Sequence, residues 1–251
     1  VTLLQALAVF VAGIAAGTIN AVVGSGTLVT FPTLLAVGFP PVLANVSNTV
    51  GLVPGSLSAA VGFRRELEGQ RARLLRLGVA SLLGGAAGAL LLLRLPQSSF
   101  DAIVPVLIGL GCVLVVAQPW IAARVRPLSS APAHGSVAVW LLVLLTGVYG
   151  GYFGAAQGVL LIAVLGIGLS DSMQRINATK NVLALLVNGV AGVVFLLVFH
   201  IDWHAAGLIA AGSVIGGQVG ASVGRRLPAQ VLRGVVAVVG VIAIVNLVVF
   251  N

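Results

Sequence analysis

Apolar residues run in long blocks along this chain, not in strand-like alternation. The blocks cover roughly 3–23, 26–38, 41–63, 74–93, 101–121, 137–155, 158–169, 177–199, 205–224 and 230–250. Most reach the roughly 20 residues that cross a bilayer as a helix. Two fall short, 26–38 and 158–169. Each follows a break rich in small residues, Gly24-Ser25-Gly26 in one case and Gly154-Ala155-Ala156-Gln157-Gly158 in the other. The pattern predicts an all-α integral membrane protein of about 8–10 membrane segments, some of them interrupted or re-entrant.

The blocks also repeat. Gly158 lies 132 positions after Gly26, as Asn177 does after Asn45 and Thr179 after Ser47. Gly216, Gly217 and Gly220 keep that offset from Gly84, Gly85 and Gly88, and Arg226-Leu227-Pro228 keeps it from Arg94-Leu95-Pro96. The chain is therefore read as a first transmembrane repeat at 1–121, a cytoplasmic linker at 122–136 carrying Arg124, Arg126, Pro127 and Pro132, and a second repeat at 137–251. Loop 64–76 carries Arg64, Arg65, Arg71, Arg73 and Arg76, which predicts a cytoplasmic position. Its counterpart at 200–204, His-Ile-Asp-Trp-His, has no Lys or Arg and is expected outside. The linker and Arg225-Arg226 fit inside. Equivalent loops on opposite sides make the repeats inverted, with an odd number of crossings each. Three long helices plus a re-entrant pair would satisfy this, as would five crossings with short members. Inverted repeats with interrupted helices are a pattern of secondary transporters, which hold substrate at the breaks near the midplane.

Composition narrows the class. Hydrophobic residues make up 59% and charged residues 7%, against about 25% charged in soluble domains; the mean hydropathy is +1.18. The net charge of +8 comes from arginines in loops, with no basic run interleaved with aromatics, so nucleic acid is not an expected partner. Cys112 stands alone, which removes disulfides and Cys-based metal sites; no metal or cofactor is expected. Residues 2–12 lack a basic leader and a clear cleavage site and are read as part of the fold. The pairs Gly84/Gly88, Gly216/Gly220, Gly220/Gly224, Gly13/Gly17 and Gly147/Gly151 put small residues on one helical face and predict close helix packing.

Candidate chemistry sits at the breaks and just after them. Asn45-Val46-Ser47-Asn48-Thr49 follows Pro40-Pro41, which favours a helix start nearby. A helix N-terminus offers free N–H groups and about half a positive charge, which suits an anion. Asn177-Ala178-Thr179-Lys180-Asn181 is the second-half equivalent. The candidate anion-binding residues are Asn45, Ser47, Asn48, Asn177, Thr179, Lys180 and Asn181, with Gly24, Ser25, Gly26 and Gln157 from the breaks. The two motifs are expected to face each other around one ligand. Tyr152 sits beside Gln157 at the second break. Asn20 and Asn188 read as polar glue between helices. Lys180 reads equally well as a cytoplasmic anchor alongside Arg175. Tyr149, Trp120, Trp140 and Trp203 read as interfacial anchors. The acids, Glu66, Glu68, Asp101, Asp171 and Asp202, fall in loops or at helix ends, and His134, His200 and His204 lie in loops. A buried carboxylate relay is therefore not expected, nor a serine protease built on Ser25. A channel using the same helix ends is the alternative to a carrier.

Gly24-Ser25-Gly26, Ala44-Asn45-x-Ser47 and Asn177-Ala178-Thr179-Lys180 together resemble the TauE/SafE family of sulfite exporters, over nearly the whole chain. The resemblance implies a multi-pass protein of the bacterial inner membrane, not an enzyme, that exports small sulfur-containing anions such as sulfite, sulfonates or sulfoacetate. The implied partners are that anion and the lipid bilayer, with a homodimer as a candidate assembly. Asn48 stands where the second half has Lys180, so the two copies differ in charge.

Overall fold

A computed structural model describes residues 2–124, 135–223 and 229–249. The described residues form ten helices: α1 (Leu3–Val22), α2 (Thr27–Ala36), α3 (Pro41–Gly62), α4 (Arg71–Arg94), α5 (Gln97–Arg124), α6 (Val137–Tyr152), α7 (Gln157–Gly168), α8 (Met173–Val198), α9 (Trp203–Val223) and α10 (Ala229–Val249). Each apolar block has become one helix. Among the described residues, five stretches are long and apolar enough to cross a membrane: Leu3–Val22, Arg71–Arg94, Gln97–Ile121, Met173–Val198 and Trp203–Ser222. Helix α3 is also long, at 22 residues, but spends part of its length on buried polar side chains, among them Asn45, Ser47, Asn48 and Thr49.

Helices α4, α5 and α8 begin a turn before their apolar blocks. In α8 the reason is a cap: Ser172 accepts the Arg175 N–H and starts the helix at Met173. Pro41 opens α3 at the first helical position, as its missing N–H favours. Thr2 and Gln5 close a capping box on α1.

Small residues set the packing. Gly13 lies against Ile209 and Gly212, Gly17 against Ser213 and Gly217, and Gly220 against Thr18 and Ala21, so α1 and α9 run in the same direction. Gly84 lies against Leu144 and Val148, and Gly88 against Val148 and Tyr152, so α4 and α6 do too. Gly51, Gly55 and Gly62 meet Ala206, Ser213 and Ala221, which aligns α3 with α9. Helices α3 and α8 run oppositely. Gly192 faces Val50 and Val53, while Ala178, near the other end of α8, clusters with Ala59 and Phe63.

The two breaks are built alike. Val23–Gly26 separates α1 from α2 and Phe153–Ala156 separates α6 from α7. Gly24 has φ +88 and Gly154 has φ +78, the left-handed region that glycine enters without strain. The Gly24 N–H reaches back to the Ile19 carbonyl, and the Gly154 N–H to the Tyr149 carbonyl. Gly154 is thus the structural counterpart of Gly24, and by the same count Ala156 stands where Gly26 does, with φ 59 against −58. This corrects the match of Gly26 with Gly158. The sequence offset of 132 holds from α3 and α8 onward, but at the breaks the offset is 130, because α7 has 12 residues and α2 has 10.

Residues 125–134 and 224–228 are outside the described residues. With them go Arg126, Pro127, Pro132, His134, Gly224, Arg225 and the Arg226-Leu227-Pro228 match.

Candidate functional site

The breaks meet each other. The Gly158 N–H donates to the Gly24 carbonyl at 2.9 Å. A Cβ on either glycine would fall on the backbone of the other. Beside this contact, the Asn20 carboxamide accepts the Gly26 N–H at 3.4 Å, which makes Asn20 a cap on the first break. The Tyr149 hydroxyl donates to the Ala155 carbonyl at 2.6 Å. Tyr149 is therefore a clip on the second break and not an interfacial anchor. Trp120 and Trp203 are exposed, and Trp140 donates to the Arg76 carbonyl.

The Asn177–Asn181 motif grips the last turn of α1. Asn177 Nδ2 and Asn181 Nδ2 donate to the Ala21 carbonyl, at 3.1 and 3.3 Å. Lys180 Nζ donates to the carbonyls of Asn20 at 2.8 Å and Ala21 at 3.3 Å. Its side chain is 0% exposed, so Lys180 is not a surface anchor. The first-half motif does the equivalent at the other break. Asn45 Nδ2 donates to the Tyr152 carbonyl, in the last residue of α6, at 3.0 Å. Asn48 accepts the Thr30 hydroxyl.

Two expectations change here. Residues 45–49 and 177–181 lie inside α3 and α8, past the first-turn N–H groups that lack an intrahelical partner, those of Val42 and Leu43 in α3 and of Met173 and Gln174 in α8. They act through side chains and do not form helix tips. Nor do the motifs face each other: antiparallel packing of α3 on α8 sends each to the broken helix end of the opposite repeat. The N-termini that do meet are those of α2 and α7, at Gly24–Gly26 and Gln157–Gly158.

Ser47 and Thr179 serve elsewhere. Ser47 Oγ accepts the Asp202 N–H at 3.1 Å, and the Thr179 hydroxyl donates to Gln70 Oε1 at 2.8 Å. Asp202 lies 132 positions after Gln70, as Thr179 does after Ser47, so these are the same tie made twice. Among the described residues, the Gln70 copy is the one joined to ion pairs. Arg73 bonds Gln70 Oε1 at 2.6 Å and Asp171 at 2.8 Å, and Arg175 pairs with Asp171 at 2.9 Å. Burial alone would push the Asp171 carboxyl up. The bonds from Arg73, the Ser172 amide and Arg175, with the Arg175 charge, outweigh it and hold it below the usual carboxylate value.

Among the described residues, several polar atoms around the breaks are buried without a hydrogen-bond partner: Ser25 Oγ, Asn45 Oδ1, Asn48 Nδ2, Tyr152 Oη, Gln157 Nε2 and Asn177 Oδ1. Four of these atoms, those of Ser25, Asn48, Tyr152 and Gln157, can donate. An unsatisfied buried polar group costs about 1–3 kcal/mol, so a cluster of them points to a role beyond packing. Thr30 and Gln70 went unnoticed in the sequence; the offset from Gln70 to Asp202 was the one available signal for the second. Two surface clefts, of about 630 and 240 Å³, are lined by Ala6, Asp202, Trp203, His204, Gly207 and Leu208, and by Gly62, Arg64, Arg65, Glu66 and Gln218. None of the candidate site residues lines either.

The sequence profile described as Sulfite exporter TauE/SafE matches residues 9–247. A "probable membrane transporter protein" of Haemophilus influenzae is 26% identical over 233 residues, covering 91% of this chain and 89% of its own. A "probable membrane transporter protein" of Sinorhizobium sp is 26% identical over 244 residues, covering 95% and 90%. The "probable membrane transporter protein YfcA" of Escherichia coli K12 is 24% identical over 241 residues, covering 93% and 86%. No solved structure matches.

Proposed function

We propose that this chain, which belongs to the sulfite exporter TauE/SafE family, carries small sulfur-containing anions out across the bacterial inner membrane by alternating access. Membrane transport itself, in a multi-pass bacterial membrane protein, follows from the family and from relatives named as membrane transporters. Sulfite and sulfonates such as sulfoacetate are the substrates we infer, and the meeting point of the two breaks is their binding place.

One observation carries the site: buried, unpartnered donors of Ser25, Tyr152 and Gln157 lie in or next to the two breaks, and that of Asn48 beside Thr30 of α2, with the N-terminal ends of α2 and α7 in contact. Helix N-termini favour anions, and a sulfonate or sulfite oxygen would accept the unused N–H and O–H groups. Burial of the donors favours a carrier over an open pore.

We read 1–121 and 137–251 as inverted repeats joined by a cytoplasmic linker at 122–136. The α1–α9 contact has the same residue pattern as α6–α4, and in each half the third helix runs against its counterpart. The Ser47–Asp202 and Thr179–Gln70 ties then close opposite ends of the molecule, and alternating access would open one at a time. An anion leaving a negative-inside cell gains about 2.3 kcal/mol per charge per 100 mV, enough to drive export without a proton relay.

Ligand-induced stabilisation tests the site, since a ligand that binds the folded state raises its melting temperature. Sulfite or an organosulfonate is expected to stabilise purified protein more than phosphate does. Gln157→Ala and Asn48→Ala are expected to reduce that shift by weakening affinity about tenfold. No response of the wild type to any anion would defeat the reading.

A further inference from the structure

Among the described residues, Lys180 is the most completely buried charged side chain, at 0% exposure. Its hydrogen bonds go to two neutral carbonyls, those of Asn20 and Ala21. Among the described residues no carboxylate pairs with it. The acids stand elsewhere: Asp171 holds Arg73 and Arg175, Asp202 caps the start of α9 through the Ala205 N–H, Glu66 and Glu68 lie in the 63–70 turn, and Asp101 is exposed near the start of α5. Among the described residues the other buried cation is Arg73, and it has Asp171 as its partner.

The helix ends supply only part of a counter-charge. Lys180 Nζ sits on carbonyls in the last turn of α1, an end that carries about half a negative charge, while the N-terminal ends of α2 and α7 carry about half a positive charge each. Among the described residues, the full charge beside the meeting point is that of Lys180. Asn20 connects it to the site directly, since its backbone carbonyl holds Nζ and its side chain holds the Gly26 N–H at the start of α2.

Buried charge is costly unless it is balanced. We propose that Lys180 limits the site to ligands of single negative charge. This rests on the anion-carrier reading and narrows it. A monoanion makes the loaded carrier neutral at depth. A dianion of similar size leaves one uncompensated negative charge there. Of the substrates inferred above, the favoured ones are therefore monovalent sulfur oxyanions, bisulfite and simple alkanesulfonates; the sulfite dianion and sulfonates that also bear a carboxylate, sulfoacetate among them, become the weaker ligands, as does sulfate. The first-half equivalent, Asn48, is neutral and leaves the count at one.

The test compares matched ligands on the full chain in detergent: isethionate with one charge, and sulfoacetate with two. Isethionate is expected to bind at least tenfold more tightly, measured by melting-temperature shift against concentration. Lys180→Met keeps a long apolar stem and removes the charge. It is expected to weaken isethionate binding at least tenfold and to abolish the preference between the two ligands. A purely structural lysine would lower the melting temperature of the free protein but leave the preference intact, and that result would overturn the assignment. Equal binding of isethionate and sulfoacetate by the wild type, which needs no variant, would overturn the charge limit while leaving the carrier reading in place. Absence of any anion response would remove both.

Discussion

Gly24 shows how little freedom the breaks have. Two separate demands fall on it: a left-handed backbone at φ +88 and contact with the backbone of Gly158. Gly38 shares the first demand, at φ +99, but has open space where a Cβ would stand. Gly38→Ala is expected to cost about 1 kcal/mol, the strain of the backbone alone. Gly24→Ala adds a clash that no rotamer can relieve, and is expected to cost about 3 kcal/mol or more. Thermal unfolding of the two variants side by side separates strain from contact, and equal losses would show that the breaks do not pack as described. The sequence placed Gly24, Ser25, Gly26 and Gln157 at the breaks, because glycines and polar groups have few reasons to interrupt an apolar block. It singled out Ser47 and Thr179 as ligand donors, and the structure pairs them with the Asp202 amide and the Gln70 side chain. A hydroxyl at membrane depth reads the same whether it meets a ligand or a loop amide, and only the partner decides.

At the scale of elements, helix existence was legible because block length is set by bilayer thickness, a constraint outside the chain. The register of the repeat was not fully legible. Counting identities gives one offset, and the two extra residues of α7 hide between two breaks of equal length. Direction of packing was also hidden: the sequence pairs Asn45 with Asn177, but cannot show that α3 and α8 cross antiparallel. The charged tie at the start of α8 was missed for a related reason, since Arg73, Asp171 and Arg175 lie on three separate elements. It carries its own prediction. Asp171→Asn removes the partner of both guanidinium groups and is expected to lower stability by about 1–3 kcal/mol, mostly through Arg73, because Arg175 is more exposed and better screened. The pH dependence has a definite sign. The folded-state pKa of Asp171 is depressed, so its contribution is fully present above the usual carboxylate value of about 4 and is lost as pH falls through the lower folded value. Wild type and Asp171→Asn should differ by a constant margin from pH 5 to 8 and converge only in strong acid. A gap that closes near neutrality would mean that another group controls the tie.

At the scale of the whole molecule, the question is which ends face which side of the bilayer. Contact geometry fixes relative directions: α1, α3 and α9 run one way, α4 and α6 the same way as each other, and α8 against α3. For the absolute sense we propose, from arginine bias, the 63–70 turn inside and the 199–202 turn outside. Glu68 and His200 lie 132 positions apart, and both are exposed, so they are the same position in the two halves. Cys112 is the one native cysteine and is buried; replacing it with serine clears the background. Glu68→Cys and His200→Cys, each in that background, then report the sidedness of equivalent turns. With a membrane-impermeant thiol reagent on intact cells, the cysteine at 200 is expected to label and that at 68 only after the membrane is opened. Labelling of both from one side would make the repeats parallel. It would also put the Ser47–Asp202 and Thr179–Gln70 ties at the same face, where they could not guard opposite entrances, and alternating access about the two breaks would lose its structural basis.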